Sequence, residues 1–505
     1  MSSSKRFGGS AGFWSGGVAF GLLLLFFHPD PAHPAVGRMG AVAALMAVWW
    51  ITEAIPLAAT ALLPFVLFPL LGVMSSKTTA PLYLNSTIFL FLGGFLIALA
   101  MERWELHRRV ALRILLAFGR SPSLLVLGFM CACGFLSAVI SNTATAVAML
   151  PVGMAVLRGI EERWGRERTA TLGAALMLGI AYSCSIGGMA TLVGTPPNLV
   201  FKTIFEGSFP GAPPISFAQW SLVGAPLAAV MLLAAWGLLT QVLYRPDPAL
   251  RIDRGALRGQ YAALGPMKRE EQVVAGVFLL TALLWMFRAP LRLGSVVIPG
   301  WNQWFHQPQL MDDGTVAVAM ALLLFLWPAR SRPGERLLDP AVFGRVPWHI
   351  ILLFGGGFAL AAGFKTSGLS HWLATTVFSG MGGLPAGVVV AIVCLTMTSL
   401  TELTSNTAST QMVLPILAAV AVAQAVHPLL LMVPATLSAS MAFMMPVASP
   451  PNAIVFGSGW LTIKQMARAG ILLKVLGLLL TLAAIHLLGL NAFDLHGTAL
   501  PPWAK

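Results

Sequence analysis

The sequence predicts an all-α polytopic membrane protein. Three observations predict it: the composition, the length of the apolar runs and the face on which the basic residues gather. Of 505 residues, 57% are hydrophobic and only 10% charged, with a mean hydropathy of +0.82. Ordinary soluble domains carry about 25% charged residues, so lipid must solvate most of this surface, and a cytosolic globular protein is excluded.

Apolar runs of about 20 residues match the helix length needed to cross a hydrocarbon core of about 30 Å. Eleven regular elements centre on residues 11–27, 37–52, 55–72, 87–101, 169–200, 221–243, 272–289, 313–328, 349–363, 430–456 and 468–490. Two longer ones, 122–157 and 384–427, are each interrupted by a polar Ser-Asn-Thr and read as re-entrant hairpins. The first run follows Lys5 and Arg6 in signal-peptide fashion, but no small-x-small cleavage site leads into a soluble domain. It reads as a retained span.

Orientation follows from the basic residues. With both odd elements as hairpins, one face receives Lys5, Arg6 and the basic residues of segments 103–120, 158–168, 245–269, 330–345 and 464–468, most of the 31 Lys and Arg. The other face receives Arg38, Lys77, Lys202, Arg288, Arg292, Lys365 and Lys505, and Lys474 lies inside the last span. The net charge of +13 therefore anchors a multi-pass protein in the plasma (inner) membrane, N-terminus cytoplasmic and C-terminus outside. Nucleic-acid binding is excluded, because the basic residues are spread over six segments rather than gathered on one domain. Cys131, Cys133, Cys184 and Cys394 form no CxxC pair and read as free thiols in apolar runs.

The two halves repeat. FLFLGGFLIALAMERWELHRR, SAVISNTATAVAMLP and TLVGTPPN in the first correspond in order, chemistry and approximate spacing to LLFGGGFALAAGFKTSGLSHW, TELTSNTASTQMVLP and PVASPPN in the second. Five spans, an odd number, separate the hairpins, so the second repeat is expected to be inverted. Inverted repeats with interrupted helices are a transporter signature.

Each hairpin places Ser141-Asn142-Thr143 or Ser405-Asn406-Thr407 between two apolar half-helices. Irregular backbone at that depth is tolerated only where it is buried in protein or lines a cavity. A helix starting after each tip aims its free N–H groups and positive dipole end at the gap, which favours an anion. Ser137 and Thr401 each precede the tip asparagine by the same step, at the end of a half-helix with unpaired carbonyls. Hydroxyl and carbonyl oxygens together suit a hard cation. The breaks Gly194-Thr195-Pro196-Pro197-Asn198 and Ala448-Ser449-Pro450-Pro451-Asn452 unwind a helix at a defined point, because proline removes a backbone donor and clashes with the preceding turn. Neither tripeptide nor either break carries a charged residue, so a bound dianion would take its countercharge from cations bound beside it.

One Ser, Asn or Thr in an apolar helix is more often packing glue than a ligand; it is the pairing of two tips with matching hydroxyls and breaks that favours function. The FLGGF and FGGGF stretches read as close helix packing, and His107 as an interfacial residue. An intramembrane carboxylate is a functional candidate by default. Glu402, beside Thr401, either hydrogen-bonds the hairpin or touches a cation, and Glu53, before Pro56, reads as solvent-exposed at a turn.

The two SNT hairpins, the GTPPN and ASPPN breaks and WWITEAIPLAATALLPFVLFPLLGV resemble the divalent anion/sodium symporter family of sodium-coupled di- and tricarboxylate carriers, along nearly the whole chain. The resemblance implies a homodimer of elevator-type protomers. A scaffold (1–120 and 246–383) would hold a moving transport domain (121–245 with the inner hairpin, 384–505 with the outer). It also implies a first sodium site at Ser137, Ser141, Asn142 and the backbone of Gly194, and a second at Thr401, Asn406 and the backbone of Ala448. Substrate carboxylates would be held by Asn142, Thr143, Asn406, Thr407 and the region of Pro450. Ser449 stands where a threonine is common in the family and keeps the hydroxyl.

The expected function is therefore sodium-driven import of a C4-dicarboxylate such as succinate, malate or fumarate, with Na+ as coupling ion and no organic cofactor. A sulfate or citrate carrier, or a sodium-independent dicarboxylate exchanger, is the alternative. An intramembrane protease is disfavoured, since the apolar runs hold no paired Asp, HExxH or Ser/His dyad. A channel would not need two cation-type sites with upstream hydroxyls.

Overall fold

The computed structural model describes residues 10–118, 121–250, 252, 255–293, 296–377, 385–489, 492–493, 495 and 499–504. Lys5, Arg6, Arg120, Arg251, Arg254 and Lys505, counted above among the topology-setting charges, lie outside the described residues, as do the expected domain boundaries at 120 and 383–384. Eight described helices are long and apolar enough to cross a membrane: Ala35–Thr52, Ser76–Arg103, Asn142–Trp164, Arg166–Gly188, Phe217–Leu243, Trp348–Ser367, Asn406–Ala423 and Ile463–Gly489. Shorter apolar helices include Ala11–Phe26, Pro122–Ser137, Asp313–Leu326 and Leu429–Ala439.

Both odd elements are helical hairpins. Pro122–Ser137 turns at residues 138–141 into Asn142–Trp164, and Ala386–Leu400 turns at 401–405 into Asn406–Ala423. The apolar runs at 169–200 and 430–456 are both broken. The first becomes Arg166–Gly188 and Pro196–Ser208, the second Pro428–Ala439 and Pro450–Phe456. In each the second piece opens on proline at its first turn, where the missing N–H is no loss. The residue before it is extended: Thr195 at φ −146°, ψ 143° and Ser449 at φ −150°, ψ 150°.

Two features depart from the sequence reading. The run at 55–72 is not one helix but Leu57–Thr60 and Leu63–Leu70, with Pro56 and Pro64 at the starts and Pro69 inside the second piece. Eight residues rise about 12 Å, well short of the bilayer core. The all-α expectation also meets one small antiparallel hairpin, Leu291–Leu293 with Val296–Ile298, in register Leu291↔Ile298.

The Arg166–Gly188 helix is almost wholly buried and packs against both arms of the first hairpin and against Pro450–Phe456 of the other half. Reciprocally, Asn406–Ala423 packs against Pro196–Ser208. Each tip helix therefore lies beside the second piece of the other half's broken helix, and the four motifs are brought into one region. A smaller core of Met39, Met46, Trp50, Phe68, Leu353, Leu360 and Phe364 joins the N-terminal helices to Trp348–Ser367. That helix reaches the second hairpin through Gln411, whose Nε2 donates to the Leu353 carbonyl at 2.8 Å and whose side chain lies against Gly357. The FGGGF stretch is thus a close-packing surface. Glu53 is exposed at a helix end, with φ +47°.

Candidate functional site

The first tip is held by its own side chains. Ser137, at the end of one half-helix, donates from Oγ to Asn142 Oδ1 at 2.6 Å. Ser141 is extended (φ −59°, ψ 143°), and its Oγ accepts the Ala144 N–H at 3.1 Å. This serine therefore satisfies one free donor of the new helix, as N-cap residues do. A methyl group placed on Gly188 would lie 2.8 Å from Asn142 Oδ1 and 3.1 Å from the Gly194 carbonyl oxygen. One placed on Gly194 would meet the carbonyls of Gly188 at 2.5 Å and Ala138 at 3.1 Å. The close Gly188–Gly194 approach thus leaves no room for a Cβ on either glycine and draws Asn142 Oδ1 and the carbonyls of Ala138, Gly188 and Gly194 together. Oxygens of these types suit a hard cation.

At the second tip Thr401 Oγ1 donates to Asn406 Oδ1 at 2.5 Å and approaches the Ala439 carbonyl at 2.8 Å. Thr401 is fully buried, Asn406 partly open. Ser405 is extended like Ser141 but makes no side-chain cap.

The breaks match bond for bond. Asn198 Nδ2 donates to the carbonyls ten and seven residues upstream, Gly188 at 3.1 Å and Thr191 at 2.7 Å. Asn452 Nδ2 does the same to Ala442 and Met445, both at 3.0 Å. Both asparagines are fully buried, and in both Oδ1 has no partner. One amide therefore ties together two carbonyls of the interrupted segment, and closes each break into a fixed loop. The second break adds Ser449, whose Oγ accepts the Asn452 N–H at 3.5 Å.

Of the residues expected from the sequence, Ser137 meets Asn142, and Gly194 lies against Gly188 beside Asn142, while Thr401 meets Asn406. Thr143 and Pro450 are exposed, whereas Thr407 is buried with 7% of its surface accessible. Ala448 is buried just ahead of the extended Ser449. The sequence reading missed the carbonyls of Ala138, Gly188 and Ala439, which residue type cannot reveal. It also missed the hydroxyl of Thr191, which donates to the Ala138 carbonyl at 2.5 Å and accepts from Gly194 N at 3.0 Å.

Glu402 hydrogen-bonds the second break rather than the hairpin, a partner that the sequence reading did not name. Its carboxylate accepts the N–H groups of Phe443, Met444 and Met445 at 2.9–3.2 Å, and Lys474 Nζ stands 3.6 Å away. The expectation of a charge-free break thus holds within the break itself, while a paired charge supports it from behind. Two opposite charges within or beside apolar runs, Glu402 and Lys474, were the signal available for this pair.

The chain matches a family profile described as the sodium:sulfate symporter transmembrane region, over residues 17–491. The sodium-dependent dicarboxylate transporter SdcS of Staphylococcus saprophyticus is 41% identical over 491 residues, covering 96% of this chain and 92% of that protein. SdcS of Staphylococcus aureus is 41% identical over 477 residues, covering 93% and 89%. The solved structure of MtrF from Neisseria gonorrhoeae, described within a class of antimetabolite efflux pumps, aligns with a TM-score of 0.54 at 16% identity over 82% of this chain and 84% of that one. At that identity the likeness is one of fold alone. The profile and these relatives set the chain among multi-pass membrane transporters rather than enzymes. The chain belongs to the sodium:sulfate symporter family, the divalent anion/sodium symporter group whose paired SNT tips and PPN breaks it carries.

Proposed function

We propose that this protein is a sodium-coupled symporter that imports C4-dicarboxylates such as succinate, malate and fumarate across the plasma membrane. The observation that carries the reading is the duplicated oxygen set: at each tip an asparagine Oδ1, oriented by a hydroxyl, stands beside a break closed by another asparagine. The similarity to SdcS proteins, named as sodium-dependent dicarboxylate transporters, supports both ion and substrate class.

In this reading Ser137, Ser141, Asn142 and the Gly194 carbonyl bind one sodium ion, and Thr401, Asn406 and the Ala448 carbonyl a second. Each tip asparagine offers Oδ1 to the cation and Nδ2 to a substrate carboxylate. Thr143, Thr407 and the backbone after Pro450 complete the anion's hydrogen bonds at two helix N-termini. Because the tips bring no positive side chain, sodium supplies the countercharge, and neither solute binds well without the other.

The apolar segments cross the bilayer, the broken run at 55–72 only in part, and the two hairpins enter from opposite sides as an inverted repeat, with the N-terminus cytoplasmic and the C-terminus outside. The transport domain (121–245 and 384–505) slides as an elevator against the scaffold (1–120 and 246–383), through which two copies form a homodimer. A second reading, a sulfate carrier, is favoured by the family description; amides, hydroxyls and helix N-termini accept sulfate as readily as carboxylate.

The test is uptake of labelled succinate into proteoliposomes in sodium and in choline medium, with competition by sulfate, citrate, malate and fumarate. Sodium-dependent uptake inhibited by the C4-dicarboxylates is the expected result. Equal uptake in choline would make the protein an exchanger, and competition by sulfate alone would make it a sulfate carrier.

A further inference from the structure

The ion pair behind the second break has no counterpart in the first, and the two halves can be aligned through their own contacts. Ala138 and Glu402 each follow the hydroxyl residue before a tip, and Thr191 and Met445 each stand seven residues before the closing asparagine. In both halves these two positions are tied together, but with different chemistry. In the first, Thr191 Oγ1 donates to the Ala138 carbonyl at 2.5 Å. In the second, the Met445 N–H donates to Glu402 Oε2 at 3.2 Å.

The neighbouring amides differ in the same way. Met189 and Ala190 donate to the carbonyls of Ile186 and Gly187, within their own turn. The equivalent Phe443 and Met444 donate to the Glu402 carboxylate. The cation partner aligns too. A methyl on Gly224 would press on the Met189 and Ala190 carbonyls, and one on Gly470 on the backbone of Phe443 and Met444. Four residues beyond these glycines stand Ala228 and Lys474. Where the first half has two alanines, the second has a carboxylate and an ammonium.

We propose that Glu402, held by Lys474, is a positioning residue that fixes the second break against the second tip and so sets sodium affinity at that site alone. The inference rests on the transport reading above. Met445 is pinned at both ends, its N–H by Glu402 and its carbonyl by Asn452. Three residues further on lies Ala448, whose carbonyl completes the cation shell in that reading. Thr401, the adjacent residue on the hairpin, holds Asn406. Glu402 therefore bridges the two groups of oxygens between which the ion must fit. A buried carboxylate is tolerated only when paired and hydrogen-bonded, and three amides plus Lys474 meet that condition with no net charge added to the anion site.

The test is a sodium titration of succinate uptake in proteoliposomes, with sodium-dependent thermal stabilisation of the purified protein as a second readout. Glu402→Gln turns an acceptor into a donor facing donors, and should raise the sodium half-saturation about tenfold or more, the loss of one charge-assisted bond set. The succinate KM at saturating sodium and the maximal rate should stay within about twofold, since the tip residues are untouched. Lys474→Met should shift sodium affinity in the same direction but less, Lys474→Arg should restore it, and Lys474→Met added to Glu402→Gln should add nothing.

An unchanged sodium half-saturation in Glu402→Gln, an equal shift in succinate KM at saturating sodium, or additive effects of the two substitutions would overturn the inference. Should Glu402→Gln not fold, Glu402→Asp, which keeps the charge on a side chain one methylene shorter, must show the sodium shift instead. Wild-type protein stabilised by sodium but inactive on succinate would overturn the substrate reading and leave this inference to the thermal titration.

Discussion

At the first tip Ser141 caps the helix and leaves Thr143 exposed, whereas at the second Ser405 caps nothing and Thr407 is buried. The Thr401 hydroxyl lies within reach of two acceptors, Asn406 Oδ1 at the tip and the Ala439 carbonyl, and Ser137 donates to the tip. Behind the tips the first break satisfies its amides within its own turn, and the second sends them to Glu402. What the halves share is narrower: a hydroxyl on the tip asparagine, and an asparagine closing the break. The shared part is what the proposed ion and anion chemistry requires, and the unshared part is how each half supports it.

The largest expected effect tests the shared part. Asn142→Ala and Asn406→Ala each remove the side-chain oxygen beside a break, and either should reduce uptake to background while leaving a folded protein by size-exclusion chromatography. Retained uptake in one of them would confine the chemistry to the other half.

Next come the closing asparagines. Asn198→Ala and Asn452→Ala each strip one carbonyl, Gly188 or Ala442, of its donor and leave the other, Thr191 or Met445, to a single backbone N–H, a cost of about 1–3 kcal/mol for a buried group left unpaired, read as a lowered Tm. Because the two asparagines make equivalent bonds, the two losses should agree within about 0.5 kcal/mol; a large inequality would show that the breaks are not structurally equivalent despite their matched geometry.

The caps should separate the halves. Ser141→Ala forfeits a helix cap, about 1 kcal/mol, while Ser405→Ala loses no cap bond and should cost a few tenths at most. Equal losses would mean that the serines matter for something other than capping.

A last difference concerns how the broken helices begin. Arg166–Gly188 starts after Gly165 with no side-chain cap, whereas Pro428–Ala439 starts after His427, whose Nδ1 accepts the Leu429 N–H at 3.3 Å. Burial beside Trp503 holds the His427 pKa down at about 4. Its folded pKa lies below the unfolded value of about 6.5, so the unfolded chain takes up the proton first and stability falls as pH drops from 6.5 toward 4. His427→Asn, which can still cap, should flatten that fall in a pH series of thermal melts. A slope identical to wild type would assign the acid sensitivity elsewhere.

Much of this architecture was legible in the sequence. The SNT tips, the PPN breaks and the hydroxyls before the tips are rare polar or helix-breaking residues in apolar surroundings, where each must have a reason. The helix at 55–72 was misread because average hydropathy ignores where Pro64 and Pro69 fall. The backbone carbonyls of Ala138, Gly188 and Ala439 were invisible, since every residue has one and only the fold selects which meet a tip or break side chain.

Hydropathy, charge bias and the duplicated motifs determined by themselves that the chain is a membrane transporter with two equivalent polar tips, because the cost of burying polar groups in lipid restricts where they can stand. The tertiary structure decided what those residues touch. Asn198 reaches Gly188 and Thr191 within one chain segment, but Glu402 reaches Phe443, Met444 and Met445 across the hairpin, and Lys474 meets it from a third helix. Pairings between distant segments depend on packing angles and depth, and no local pattern in the sequence encodes them.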